Sequence, residues 1–136
     1  MSIQLTIVTP AGEAFDASVD QAVLPGAEGE FGVLEQHERF LAPLQPGPLE
    51  IHTGGAKQYA AVTDGFADVS AQQLVVLVDR CDMAGDIDVA EAEADKSEAQ
   101  AELSGLSGAE ENDARRAELE RRISIADIRI AVAGQA

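Results

Sequence analysis

The sequence predicts a soluble, acidic chain in two parts: a β domain over residues 1–86 and an antiparallel two-helix hairpin over residues 87–136. Short apolar runs separated by Gly and Pro turns fill the first part, the pattern of a sandwich or barrel. Residues 88–103 are instead rich in Ala and Glu and lack Gly and Pro, a helical composition. A break at Ser104-Gly105-Leu106-Ser107-Gly108 divides the helical part. Two helices joined by a short break most simply fold antiparallel.

In the β part, Ile3, Leu5 and Ile7 alternate with Gln4 and Thr6, the period of a half-buried strand. Further strands are expected at residues 14–16, 18–24, 32–34, 49–52, 57–63, 66–70 and 74–79. Turn signals at Pro10-Ala11-Gly12, Pro25-Gly26, Pro46-Gly47-Pro48, Gly54-Gly55 and Asp64-Gly65 punctuate them. Leu74-Val75-Val76-Leu77-Val78 is continuously apolar, so burial on both faces is expected there.

In the helical part, Asp88 with Glu91 resembles a capping box. The second helix starts between Ser107 and Asp113, with Ser107–Glu110 as one capping box and Asn112 as the alternative N-cap. Leu119, Ile123, Ala126, Ile130 and Ala133 form a seam along it, facing Ala92, Ala99, Leu103 and Leu106. Glu118 precedes Arg121 and Arg122 by three and four residues, which supports the solvent face. So many alanines bury little area, and at about 25 cal/mol per Å² an isolated hairpin of this kind is marginal. It is expected to detach from the β domain and find another surface.

Net charge is −16, which argues against nucleic acid and against electrostatic attachment to anionic lipid. The acid is concentrated before residue 113. Residues 113–136 carry Arg115, Arg116, Arg121, Arg122 and Arg129 against four acids, the one stretch that offers positive charge. Cys81 is the only cysteine, which excludes an internal disulfide and fits a reducing compartment. The first basic residue is Arg39, unlike a secretory or mitochondrial leader, and no apolar run approaches the roughly 18–20 residues of a bilayer span. A cytoplasmic chain is expected, reaching a membrane only through partners.

Catalytic chemistry is scarce. His37 and His52 fall on different expected elements, short of the three or four ligands of a metal site. The run Asp79, Asp82, Asp86, Asp88 lacks the spacing and turn glycine of a calcium loop and reads as a solvated connector. Asp79 and Asp82 flank Cys81 as well as Arg80 does, so nothing favours a thiolate. No phosphate loop, dinucleotide fingerprint or nucleophile elbow occurs. No cofactor and no metal are expected, and the chain does not read as an enzyme.

Residues 24–49 are the informative segment. Their glycines and prolines read first as turn chemistry, yet Phe31, Val33 and Leu34 are bulky apolar groups beside Glu30 and His37, as at a domain end presented to a partner. The pattern Pro25-Gly26, Glu28-Gly29, Phe31-Gly32-Val33-Leu34, His37, Leu44, Pro46-Gly47, Leu49 resembles the ε subunit of F-type ATP synthase, called δ in mitochondria. Asp64-Gly65-Phe66-Ala67-Asp68-Val69 resembles that family's Gly-Gly-Phe-x-Glu-Val strand, and Val75-Val76-Leu77-Val78-Asp79 leads to Ile87-Asp88, where its helical hairpin begins.

The resemblance implies a ten-stranded β-sandwich followed by the hairpin, placed in the central stalk between the γ subunit and the c-ring. That lies on the cytoplasmic face of the bacterial inner membrane, peripheral and without membrane insertion. It maps Glu30, Gly32, Val33, Leu34 and His37 to the end facing the c-ring, and makes Phe31 core. In relatives the extended hairpin inserts among α, β and γ and blocks ATP hydrolysis. Arg115, Arg116, Arg121, Arg122 and Arg129 would then face an acidic segment of β, since exposed local pairs hold them only weakly. Two departures stand out. Arg39 replaces a frequent proline. And Ile87-Asp88-Val89-Ala90-Glu91-Ala92 puts Glu91 where ATP-binding relatives carry arginine, a degenerate nucleotide motif at Ile87, Asp88, Glu91 and Ala92. The alternative reading, an ATP-sensing regulatory module, has this charge reversal against it.

Overall fold

The computed structural model describes residues 2–34 and 39–135. Its first strand, β1 (Ile3–Thr9), buries Ile3, Leu5 and Ile7 completely on one face, as their alternation dictates. β1 pairs antiparallel with β2 (Gly12–Val19) and parallel with β9 (Gln73–Val78). β3 (Gln21–Gly26) and β4 (Gly29–Leu34) form a hairpin across Ala27-Glu28. β5 (Phe40–Leu44), β6 (Gly47–Thr53), β7 (Ala56–Val62), β8 (Gly65–Val69) and β10 (Cys81–Met83) complete the ten strands. The hydrogen-bonded order is β10-β7-β6-β3-β5-β8-β9-β1-β2, with β4 on β3. Each of β1 to β9 sends a buried side chain into one aliphatic cluster, with Phe15, Phe31, Phe40, Cys81 and Met83 at its margin.

Three strand expectations need correction. Residues 18–24 are not one strand, because Asp20 leaves the ladder: its N–H donates to His52 O at 2.8 Å and its carboxylate accepts from Gly54 N at 2.8 Å. β5 was hidden by Pro43, which sequence reasoning reads as a breaker. Pro43 O accepts from Ala27 N at 3.0 Å, so the missing N–H also points away from the paired strand β8 and no bond to β8 is lost. Finally, residues 74–78 are not buried on both faces. Leu74, Val76 and Val78 are buried, but Leu77 is 47% exposed and Val75 only partly covered.

A 3-10 turn at Ala84–Asp86 leads to α1 (Val89–Gly105), and a second at Glu110–Asn112 leads to α2 (Asp113–Ala133). Asp88 caps α1, accepting from Glu91 N at 3.1 Å. Asn112 precedes α2 without capping it, since its amide donates to Ser107 O and Ser107 Oγ at 3.3 and 3.0 Å. The helices pack antiparallel through Ala92 and Ala99 of α1 and Leu119 and Ala126 of α2. The sequence reading missed a second stripe on α2, Ile125, Ile128 and Val132, which faces the strands.

Candidate interaction surfaces

The outer face of β5, β8, β9 and β1 carries an apolar row. Pro43 pairs with Phe66, Phe66 with Leu77, and Leu77 with Val8, one residue from each of four adjacent strands. Phe66 is 50% exposed, and Leu41, two residues from Pro43 on the same face, is 63% exposed. One end of the row opens into a shallow bowl of roughly 450 Å³ lined by Val8, Pro10, Asp64, Phe66 and Leu77. Large contiguous apolar patches on a charged surface mark contact sites. Leu77 was visible in the apolar run 74–78 and Phe66 in an expected strand; only the pairing register shows that they align.

The β3–β4 end has a different character. Pleating sends Phe31 and Val33 inward, opposite Leu24 and Ala22, and leaves Glu30, Gly32 and Leu34 outward. Val33 is fully buried in the core, so its side chain is closed to a partner, a correction to its expected contact role. Leu34 is an exposed apolar group beside Gln21. Phe31 is half-buried and meets Phe40 at a ring separation of 5.9 Å. Between the hairpin and β5 lies a crevice of about 360 Å³ lined by Gly26, Glu28, Phe31, Phe40, Ala42 and Pro43. His37 lies outside the described residues.

α2 rests on the strands through Val132 and Ile128, packed against Ala61, Ala84, Tyr59 and Ile87. Two ion pairs join it to the β domain, Arg121–Asp64 and Arg129–Asp82. A ladder of pairs joins it to α1: Arg115–Glu102, Arg122–Asp95 and Lys96–Asp127. The hydrogen bond from Arg121 holds the Asp64 carboxyl below its ordinary range, and that from Arg115 does the same for Glu102. All five arginines are therefore engaged inside the chain, Arg116 through Asp113 at 2.8 Å. The difference from the expectation of purely local pairs is the partners: Arg115, Arg121, Arg122 and Arg129 reach carboxylates on α1 or the β domain. Glu118 pairs with Arg115 at 3.1 Å rather than with Arg121 or Arg122, which reach Asp64 and Asp95. Burial pushes the Cys81 thiol up to about 11, so it carries no thiolate at neutral pH.

Residues 2–84 match the family model of the ATP synthase delta/epsilon chain, beta-sandwich domain. The ATP synthase epsilon chain of Anaeromyxobacter sp. (strain Fw109-5) is 38% identical over 99% of this chain and all of its own length. The chain belongs to the ATP synthase delta/epsilon-chain family. It is a stalk subunit of ATP synthase and not the catalytic one. The epsilon chain of Desulforamulus reducens is 39% identical over 85% of this chain and 86% of its own. Among solved structures, a chain of the Euglena gracilis mitochondrial ATP synthase (OSCP/F1/c-ring) matches 99% of this chain and 82% of its own, with a TM-score of 0.79 at 25% identity. In this chain the segment that resembles a degenerate nucleotide motif takes part in ion pairs. Glu91 lies 3.8 Å from Arg129 and 4.0 Å from Arg80. Ala92 is buried in the helix seam and Ile87 packs under Val132.

Proposed function

We propose that the chain turns with the rotor, its β domain (residues 1–86) seated between the γ subunit and the c-ring on the cytoplasmic face of the bacterial inner membrane. Residues 87–136 act as a separable hairpin. The observation that carries the reading is the apolar row Val8, Leu77, Phe66, Pro43 on a chain of net charge −16. Such a face suits a permanent neighbour, and γ is assigned to it. The outward residues Glu30, Gly32 and Leu34, with His37, are assigned to the c-ring loops; the Euglena assembly whose chain this fold matches contains a c-ring. Among the described residues no helix is long and apolar enough to cross a membrane; the proposed place is peripheral.

The hairpin is assigned a second, extended position against α, β and γ that restrains ATP hydrolysis. Its arginines are engaged on the β domain and α1 when docked, so the same side chains serve the two positions by turns. Pull-down of the tagged chain from detergent-solubilised membranes should recover γ, α, β and c subunits, identified by mass spectrometry. Recovery of none, with the chain folded, would overturn the assignment. A chain ending at Gly85 that still assembles should show raised ATPase activity; unchanged activity would make the hairpin a passive appendage.

ATP should bind the isolated chain weakly or not at all. Glu91 stands where the resemblance puts an arginine in ATP-binding relatives, and a carboxylate there repels a triphosphate instead of attracting it. The crevice lined by Thr63, Arg80, Asp82, Ile125 and Arg129 is moreover too narrow for a water-sized sphere. Calorimetry giving a micromolar or tighter Kd would refute this.

A further inference from the structure

We infer that Arg129 and its three charged neighbours form a release catch, a buried polar joint that sets where the hairpin docks while keeping it removable. The inference rests on the proposed reading that the hairpin leaves the β domain, but its test reads the joint itself, whichever surface the freed hairpin meets. Arg129 is 5% exposed. Its Nε lies 3.3 Å from Asp82 Oδ2 on β10, and Nη1 lies 3.8 Å from Glu91 Oε1 in the first turn of α1. Asp82 also accepts a 2.7 Å hydrogen bond from Arg80 Nε, and Arg80 Nη2 reaches Glu91 at 4.0 Å. Two guanidiniums and two carboxylates thus close a neutral quartet where the β domain, α1 and α2 meet.

The arrangement favours release. An intact buried ion pair adds little stability, because desolvation opposes attraction, whereas losing one partner strands a charge. The Arg129–Asp82 contact is also imperfect: Nε makes no hydrogen bond in spite of its 3.3 Å approach. When α2 lifts away, Arg129 enters water and Glu91, already mostly exposed, stays there. Asp82 keeps Arg80, so no charge is stranded on the β domain. The surrounding apolar contact is small, with alanines at Ala61 and Ala84 under Val132 and Ile128. The other cross-contact, Arg121–Asp64, is exposed on both sides and therefore holds less.

Two substitutions at this joint should act in opposite directions. Asp82→Asn leaves the buried guanidinium only its looser contact with the exposed Glu91 at 3.8 Å, and should speed amide hydrogen exchange in α2 by about tenfold or more in the full chain. Arg129→Met keeps the side chain's reach, removes the charge and leaves Asp82 on Arg80. It should leave α2 exchange equal to wild type or slower. The double variant D82N/R129M should return α2 to within about threefold of wild type, because no charge is then stranded. That rescue separates the joint from a general effect of Asp82 on folding, even if D82N also loosens β7, on which β10 pairs. Asp64→Asn should speed exchange less than D82N. The catch is overturned if D82N leaves α2 exchange unchanged, if R129M speeds it as D82N does, if the double variant is not rescued, or if Asp64→Asn matches D82N.

Discussion

Replacing Phe66 and Leu77 together by aspartate should leave the chain folded and weaken its hold on its stalk neighbour by on the order of a hundredfold. Both side chains are about half exposed and sit side by side on β8 and β9. Fully burying a large apolar side chain yields about 1.5–3 kcal/mol, and half of that remains to be gained at each. Two carboxylates forced into the same contact add a desolvation penalty, so a loss near 3 kcal/mol is expected, about two factors of ten. In the free chain the half already buried is lost too, so the double change should cost about 1.5–3 kcal/mol of stability, within the roughly 5–15 kcal/mol of a domain. Titration against the purified partner reads the affinity, and a urea melt reads the fold. Val89→Asp, at an exposed apolar position on α1, serves as the control. Affinity unchanged within about threefold would remove the row from the interface.

Gly65→Ala should lower the stability of the β domain by about 3 kcal/mol or more. A Cβ built on Gly65 falls 1.9 Å from the carbonyl oxygen of Leu77 and 2.9 Å from its carbon. The obstacle is backbone, which cannot swing aside as a side chain does. Relief requires β8 and β9 to part where Gly65 pairs with Val78, beside the buried residues Leu74, Val76 and Val78. With a domain stability of about 5–15 kcal/mol, this is a large fraction. The urea midpoint should fall with little change in the slope; a midpoint like wild type would show that the strands separate easily at this turn.

Local pattern carried most of the fold. The alternation of Ile3, Leu5 and Ile7 reappears as β1, Pro10-Ala11 and Gly54-Gly55 reappear as turns, and residues 106–109 form the interhelical loop, whereas Pro25-Gly26 and Gly47-Pro48 lie inside β3 and β6 and Gly105 ends α1 rather than breaking it. What escaped depends on contacts distant in sequence. Pro43 looks like a breaker until the side of its carbonyl is known. Leu77 reads as core until β8 and β1 are seen on either side with the outer face open. The second stripe of α2 was legible as Ile125, Ile128 and Val132 at helical spacing, but Leu119, Ile123 and Ala126 formed an equally good seam and only one was chosen. The arginines were found and their partners were not. Local Glu neighbours suggested helix-face pairs, whereas Asp64, Asp82 and Asp95 lie tens of residues away along the chain.

The parallel pairing of β1 with β9 has a consequence for the order of assembly. Leu5 lies beside Leu74, and Ile7 beside Val76, so the earliest strand completes its ladder only when the ninth has arrived. Loop closure over such separations is slow compared with helix formation. On a nascent chain the apolar face of Ile3, Leu5 and Ile7 would be held by β2 alone while about 55 further residues emerge. The two helices, by contrast, are neighbours in sequence and need only a short turn between them. The part of the molecule proposed to move is thus the part that forms last and has the shortest loop to close, onto a β domain whose closure sets the pace.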